Sequence, residues 1–370
     1  MLYKSVIQGV GMTYFYNKKS AKGKKPLPPE LEGKVEFKDG KWLAKELKER
    51  ISYPQDWHNY NQYQTSEKLT FYKILNESVD SLVIDEKVGQ RGRPFHLARD
   101  IIKCCCVKIF CGFSSRRTIS ELKLFQKLGY LRKVPSYNSL IDYFNNPEME
   151  KCLTILYRML ALPLKNIEKK FSIDATGFST SVKTDWVAVR FGKETCNWRD
   201  WKKLHIVCGV NSNIIVSASI TKGYAHDSPE FNGLVTETSK NFKIDELSGD
   251  PAYLSKKNVD LVYKLGGIPY ILPKSNTTGK PWINPNWKRM IKFWKEHKEE
   301  FLKHYHLRSN VESTFSMMKR KFSDHLRSKK DQAQRNELLC IIICHNLSVL
   351  VSGIFELGID LNFEKMEVNS

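Results

Sequence analysis

The sequence predicts an α/β protein in which an all-helical N-terminal region precedes a mixed β-sheet flanked by helices. Two changes of pattern carry that expectation. From about Ser66 to Leu162 apolar residues recur at spacings of three and four, the period of a helix with one buried face. After Pro163 the chain turns to short runs rich in Ile and Val, bounded by Gly, Asn and Lys, which is strand composition. Length agrees: 370 residues allow two domains, or a larger one with a smaller one appended, and can bury a core without staples.

Taken in order, residues 1–65 form a basic, partly irregular arm, with NKKSAKGKKPLPPELEGK mixing charge, Gly and Pro. Residues 66–162 form the helical region. Within it a helix over Ile119–Leu128, the break GYLRKVPS and a second helix over Tyr137–Phe144 read as a helix-turn-helix spanning 118–146, with Ser136 placed to cap the second helix. Tyr137 and Asn138, at the start of that second helix, would then face a DNA major groove. Two helices joined by a polar turn are equally ordinary bundle anatomy.

Next come KKFSIDATGF, KKLHIVCGV and NIIVSASITKG, read as three consecutive antiparallel strands. Asp227 with Glu230 three residues later reads as a capping box ahead of a helix. A strand ending at Asp250, a helix from Ser255 to Leu265, the strand GIPYILP and long helical segments follow. That element order is the order of an RNase H-like fold, here residues 163–358, with a tail over 359–370. The late stretch Cys340–Ile359 is long and apolar enough for a membrane span, but His345, Asn346 and Glu356 make it a buried helix of a soluble core.

Sixty Lys and Arg against 40 Asp and Glu leave a formal charge of +20. A field of that sign favours a polyanion such as nucleic acid, or serves solubility alone. The nine cysteines show no paired metal-ligand spacing and read as reduced thiols. The N-terminus lacks a secretory pattern. Without a glycine-rich phosphate loop, a Ser-His-Asp order or a nicotinamide fingerprint, NTP hydrolysis, acyl transfer and hydride transfer find no support.

Three acids stand at informative places. Asp174 lies inside the first strand among apolar neighbours, where a carboxylate is costly unless paired or metal-bound. Asp250 ends a later strand that neighbours the first in such a sheet, and Glu312 lies in the helical segment YHLRSNVESTFSMMKRKF. Clustered carboxylates repel one another, whereas two divalent cations about 3.5–4 Å apart would bind them and serve phosphodiester chemistry. Tyr305, Arg308, Glu312 and Lys319 would share one face of a continuous helix, with Arg308 and Lys319 gripping the DNA strand. The plainer alternative is an exposed helix face on which Arg308 and Glu312 form an i, i+4 ion pair.

The pattern Tyr305-x2-Arg308-x3-Glu312-x6-Lys319 resembles the Y-R-E-K motif of IS4/IS5-type DDE transposases of bacterial and archaeal insertion sequences. SIDATGF, WRDWKKLHIVCGV, HDSPEF, LSGDPAY and CHNLSVL are similar to blocks of that family in the same order, across roughly residues 165–352. The departure is Pro251, where the family more often carries a small or basic residue. The resemblance implies a triad of Asp174, Asp250 and Glu312 holding two Mg²⁺ or Mn²⁺ ions. It implies cleavage at element ends with strand transfer into target DNA, by a homodimer on DNA in the cytoplasm, associated with the nucleoid. Trp198, Arg199, Trp201 and Lys202 mix aromatic and basic side chains as unpaired DNA would require, or pack onto the sheet. A nuclease without strand transfer, or a catalytically silent DNA-binding derivative, are the alternative functions.

Overall fold

Amphipathic spacing produces helices through the first half of the chain, beginning at Trp57 rather than Ser66. The computed structural model describes residues 56–84, 97–180, 201–274, 277 and 284–367, together with the backbone of residues 3–5, 14–16, 35–38 and 41–44. The chain divides into two units, Met1–Asp56 and Trp57–Ser370. In the first, β1 (Tyr3–Ser5) pairs antiparallel with β2 (Tyr14–Tyr16), and β3 (Val35–Lys38) with β4 (Lys41–Ala44), inside the stretch expected to be irregular.

The second unit opens with α1 (Trp57–Asp80) and β5 (Leu82–Val83), then α2 (Ala98–Cys111), α3 (Ser115–Lys127), α4 (Tyr137–Phe144) and α5 (Glu148–Ala161). The α4 cap forms as the sequence suggests: Ser136 Oγ accepts from the Ser139 amide at 3.1 Å. Five strands follow: β6 (Lys170–Ser179), β7 (Trp201–Gly209), β8 (Ile215–Lys222), β9 (Glu246–Gly249) and β10 (Ile268–Ile271). Their order is β10-β9-β6-β7-β8, with β6, β7 and β8 antiparallel in turn and β6, β9 and β10 parallel. This mixed sheet, central first strand beside the fourth, fits an RNase H-like domain. One consequence decides where chemistry sits: the ends of β6, β8 and β9 and the start of β7 all lie at the same end of the sheet.

The remaining helices are α6 (Glu230–Asn241), α7 (Lys256–Lys264), α8 (Pro285–Glu296), α9 (Lys298–Tyr305), α10 (Ser309–Phe322) and α11 (Asp331–Leu357). The tail returns to the helical region, where β11 (Met366–Glu367) pairs parallel with β5. One sequence expectation fails in detail. The N-cap of α6 is Pro229 without a side-chain cap bond, and the Asp227 carboxylate pairs instead with Lys203 and lies 3.5 Å from His205 Nδ1.

Among the described residues α11 is long and apolar enough to cross a membrane, yet 83% of its most apolar window is buried inside the protein, where it packs against α1, α2 and α5. Its polar residues have structural work there. Asn346 Nδ2 donates to the carbonyls of Ile215 (2.8 Å) and Tyr157 (3.1 Å), while its Oδ1 accepts from the Ile215 amide (2.9 Å). His345 Nε2 bonds the carbonyl of Asn213 at 2.8 Å, in the β7–β8 turn where Asn213 adopts φ +63°. The described cysteines are free thiols, as expected.

Burial depresses the His345 pKa from 6.5 to about 4, so the folded protein holds the ring neutral. The stability that this neutral ring contributes is therefore complete above pH 6.5 and lost as pH falls towards 4, by up to about 3 kcal/mol. Denaturant unfolding between pH 7.5 and 4.5 should show that loss in the wild type and a shallower slope in His345→Gln. Parallel slopes would reject this role for His345.

Candidate active site

The two aspartates meet because of strand register. β6 and β9 run parallel with Ser172 opposite Ser248 and Ile173 opposite Gly249, which brings Asp174 and Asp250 to neighbouring strand ends. Ser172 and Asp174 share one face of β6, being two residues apart. Ser172 and Ser248 join the strands through their hydroxyls at 2.7 Å, and Ser172 Oγ donates to the Leu307 carbonyl at 3.1 Å. This pair of serines thus ties both strands to the turn that carries Arg308. Sequence reasoning missed them, although their place two residues before each aspartate was a usable signal.

Beyond β9 the chain makes a single 3-10 turn, Pro251–Tyr253. Pro251 opens it with a preset φ, and Asp250 caps it, Oδ1 accepting from the Ala252 amide at 2.8 Å. The family departure at this position is thereby accommodated. The expected continuous helix through Tyr305 and Glu312 is interrupted: Tyr305 closes α9, His306–Arg308 form a 3-10 turn, and α10 starts at Ser309.

That interruption aims Arg308 at the sheet. Its Nη1 lies 3.0 Å from Asp174 Oδ2 and 3.5 Å from Asp250 Oδ2, and its Nη2 lies 2.6 Å from Glu312 Oε1. The i, i+4 pair with Glu312 is present, but it is one arm of a cluster in which a single guanidinium holds three carboxylates. Among the described residues no group of three His, Cys, Asp or Glu side chains is arranged to hold a metal, and the middle of this acidic cluster is taken by Arg308.

Burial raises the Asp174 carboxyl to about 6. The Ala175 amide, which donates to Asp174 Oδ1 at 2.8 Å, and Arg308 pull the other way, while Asp250 and Glu312 add to the rise. Burial likewise lifts the Tyr305 hydroxyl above its ordinary value. Lys319 reaches the same face of β6: its Nζ donates to Thr176 Oγ1 at 2.7 Å and lies 5.3 Å from the centre of the Phe178 ring. Burial lowers its pKa.

The other residues singled out in the sequence fall differently. Trp201 is 47% exposed at the start of β7. Lys202, expected to face DNA, is only 7% exposed and pairs with Asp331, because strand alternation turns it inward where its neighbour points out. Tyr137 and Asn138 are exposed at the start of α4, with the Arg116 guanidinium 5.1 Å from the Tyr137 ring centre. Trp198 and Arg199 lie outside the described residues.

Paired carboxylates at the ends of adjacent parallel strands, with a third acid on a crossing helix, define a nucleic-acid-processing site on this fold. Residues 166–347 match the family model of the transposase DDE domain, and this region of the chain is such a domain. The chain is also 24% identical over 310 residues, 82% of its length and 90% of the relative's, to a protein of Archaeoglobus fulgidus described as a probable transposase for insertion sequence element ISA1214. No solved structure matches it significantly.

Removing the guanidinium would leave three carboxylates facing one another. Arg308→Ala should melt at lower temperature than the wild type at pH 7.5, with the gap narrowing at pH 5, where Asp174 takes up a proton and relieves the repulsion. Arg308→Lys should fall between them. Thermal melts at both pH values test this; a gap of the same size at each would reject the charge-balancing role.

Proposed function

We propose that this protein is the DNA transposase of an insertion sequence of the IS4/IS5 type, cutting phosphodiester bonds at the element's ends and joining the freed 3′ hydroxyl to target DNA. The observation that carries this is the meeting of Asp174, Asp250 and Glu312 around one cationic group, within a transposase DDE domain.

The donor set fits a divalent cation. Three hard carboxylate oxygens from β6, the end of β9 and α10 already gather about a guanidinium, a stand-in for positive charge at that point. Asp174, Asp250 and Glu312 would hold the metal, two Mg²⁺ or Mn²⁺ ions in this reading, which supplies an activated attacking oxygen and stabilises the leaving one. Arg308 would then exchange some of its carboxylate partners for a phosphate oxygen, a charge-assisted contact that it makes with equal ease. Lys319, anchored on Thr176 beside the acids, and Tyr305 would position the strand. Trp201, with Tyr137 and Asn138 of the helix-turn-helix-like pair, would contact DNA further out. Lys202, committed to Asp331, has no part in this. A homodimer assembled on the element's ends, working in the cytoplasm at the nucleoid, completes the reading.

The test is cleavage of a duplex carrying the DNA that flanks the gene, including its inverted repeats. Wild-type protein with Mg²⁺ should nick at the repeat ends, and EDTA should stop it. Asp174→Asn, Asp250→Asn and Glu312→Gln should each reduce cleavage by at least a hundredfold while still binding the duplex, since an amide keeps the shape but is a poor ligand for a hard cation. Near wild-type cleavage by any of the three would sink the triad. Cleavage without joined products would favour the nuclease alternative.

A further inference from the structure

Topology places more than the acids at the active end of the sheet. The loop after β8 lies there too, and it borders a cavity of about 600 Å³ lined by Lys203, Tyr224, His226, Asp227, Ser228 and Ala252, among others. The cavity and the acidic cluster share a wall, since the Ala252 amide is the donor to Asp250 Oδ1 at 2.8 Å. On the other side Lys203 stands opposite Gly177 in the β6–β7 register, three residues beyond Asp174.

Tyr224 is 77% exposed, more than any other large apolar or aromatic side chain in the described core unit. Leaving an aromatic ring in water forgoes burial free energy, and no packing role within the fold explains it. Next to it Trp201 lies directly against Gly223: a Cβ there would fall 1.4 Å from the indole Cδ1, so only glycine leaves room for the ring. Two aromatic side chains therefore flank one backbone position at the cavity rim. The interior is polar, with Asp227 held by Lys203, and Lys203 Nζ also donating to the Ala225 carbonyl at 3.1 Å.

We propose that this cavity is a nucleotide subsite: it takes the unpaired base adjacent to the cleaved phosphate, with Tyr224 as the stacking surface and Trp201 beside it. The inference rests on the transposase reading, because that is what places a DNA strand across Asp174 and Asp250. Its chemistry is independent of sequence. Every base has a π face to lay on Tyr224, and the polar side chains of His226, Asp227 and Ser228 meet base edges, which carry donors and acceptors. A cavity of this size holds one nucleotide. Strand separation at a cut end supplies the unpaired base, and the stacking offsets what unpairing costs.

Fluorescence anisotropy without metal would compare a blunt duplex with the same duplex bearing a three-nucleotide single-stranded tail. Wild-type protein should bind the tailed form roughly tenfold more tightly, as one base stacked on an aromatic ring allows. Tyr224→Ala should lose that preference while binding the blunt duplex as before, and Tyr224→Phe should keep it. A 2-aminopurine at the first unpaired position should be quenched by the wild type and the Phe variant but not by Tyr224→Ala. Equal binding of both duplexes by the wild type, or an undiminished preference in Tyr224→Ala, would overturn the subsite. Failure to bind either duplex would instead remove the DNA-processing reading beneath it.

Discussion

Everything at the active end of this sheet is organised around one cation among three anions. Carboxylates as close as Asp174, Asp250 and Glu312 repel one another, and Asp174 is partly desolvated as well, which is why its pKa climbs to about 6. Arg308 makes the arrangement tolerable by placing two nitrogens among all three. An arginine suits this better than a lysine, because a planar guanidinium offers separate donors in fixed directions and keeps its charge when partly buried. The kink between α9 and α10 follows from the same need: a straight helix would leave the side chain lying along its own axis.

The surrounding fold holds that kink in place. Ser172 and Ser248 link the two catalytic strands two residues upstream of the aspartates, and the Leu307 carbonyl hangs on Ser172 next to Arg308 in the chain. On the far side of the sheet α11 secures the β7–β8 hairpin through Asn346 and His345, so an apolar helix of membrane-spanning length is tied into a soluble core by two polar side chains. Buried amides bonded to backbone on several sides specify one register, since a slip would leave each group unpaired at a cost of about 1–3 kcal/mol.

Much of this was legible in the sequence, and the failures have physical causes. Strand and helix order came through because alternation and 3.6-residue periodicity reflect burial, which tertiary contacts then complete. The three acids were visible because a carboxylate inside SIDATGF has no comfortable explanation as a core residue. Arg308 was only partly legible. Its partner four residues on is a local pattern, but Asp174 lies 134 positions away, and no periodicity records that. Lys202 was misread because a basic-aromatic cluster looks the same from either face of a strand, and Asp331, which draws it inward, belongs to a distant helix. Asp227 shows the same limit. Its spacing to Glu230 satisfies a capping box, yet the stronger electrostatic partner is Lys203 on the adjacent strand.

The charge of the whole chain and the charge of the site have opposite signs, and function on DNA needs both. A net +20 draws a polyanion in from a distance, but three carboxylates against one guanidinium leave the reactive point itself negative while all are ionised. A phosphate brought there would be repelled at close range, where screening by salt is weakest. Lys319 on Thr176 relieves part of that, being fixed beside the acids rather than within them. The rest must come from cations that enter with or before the strand. The cluster therefore keeps the reactive point closed to phosphate until positive charge arrives, while the basic surface concentrates DNA around it.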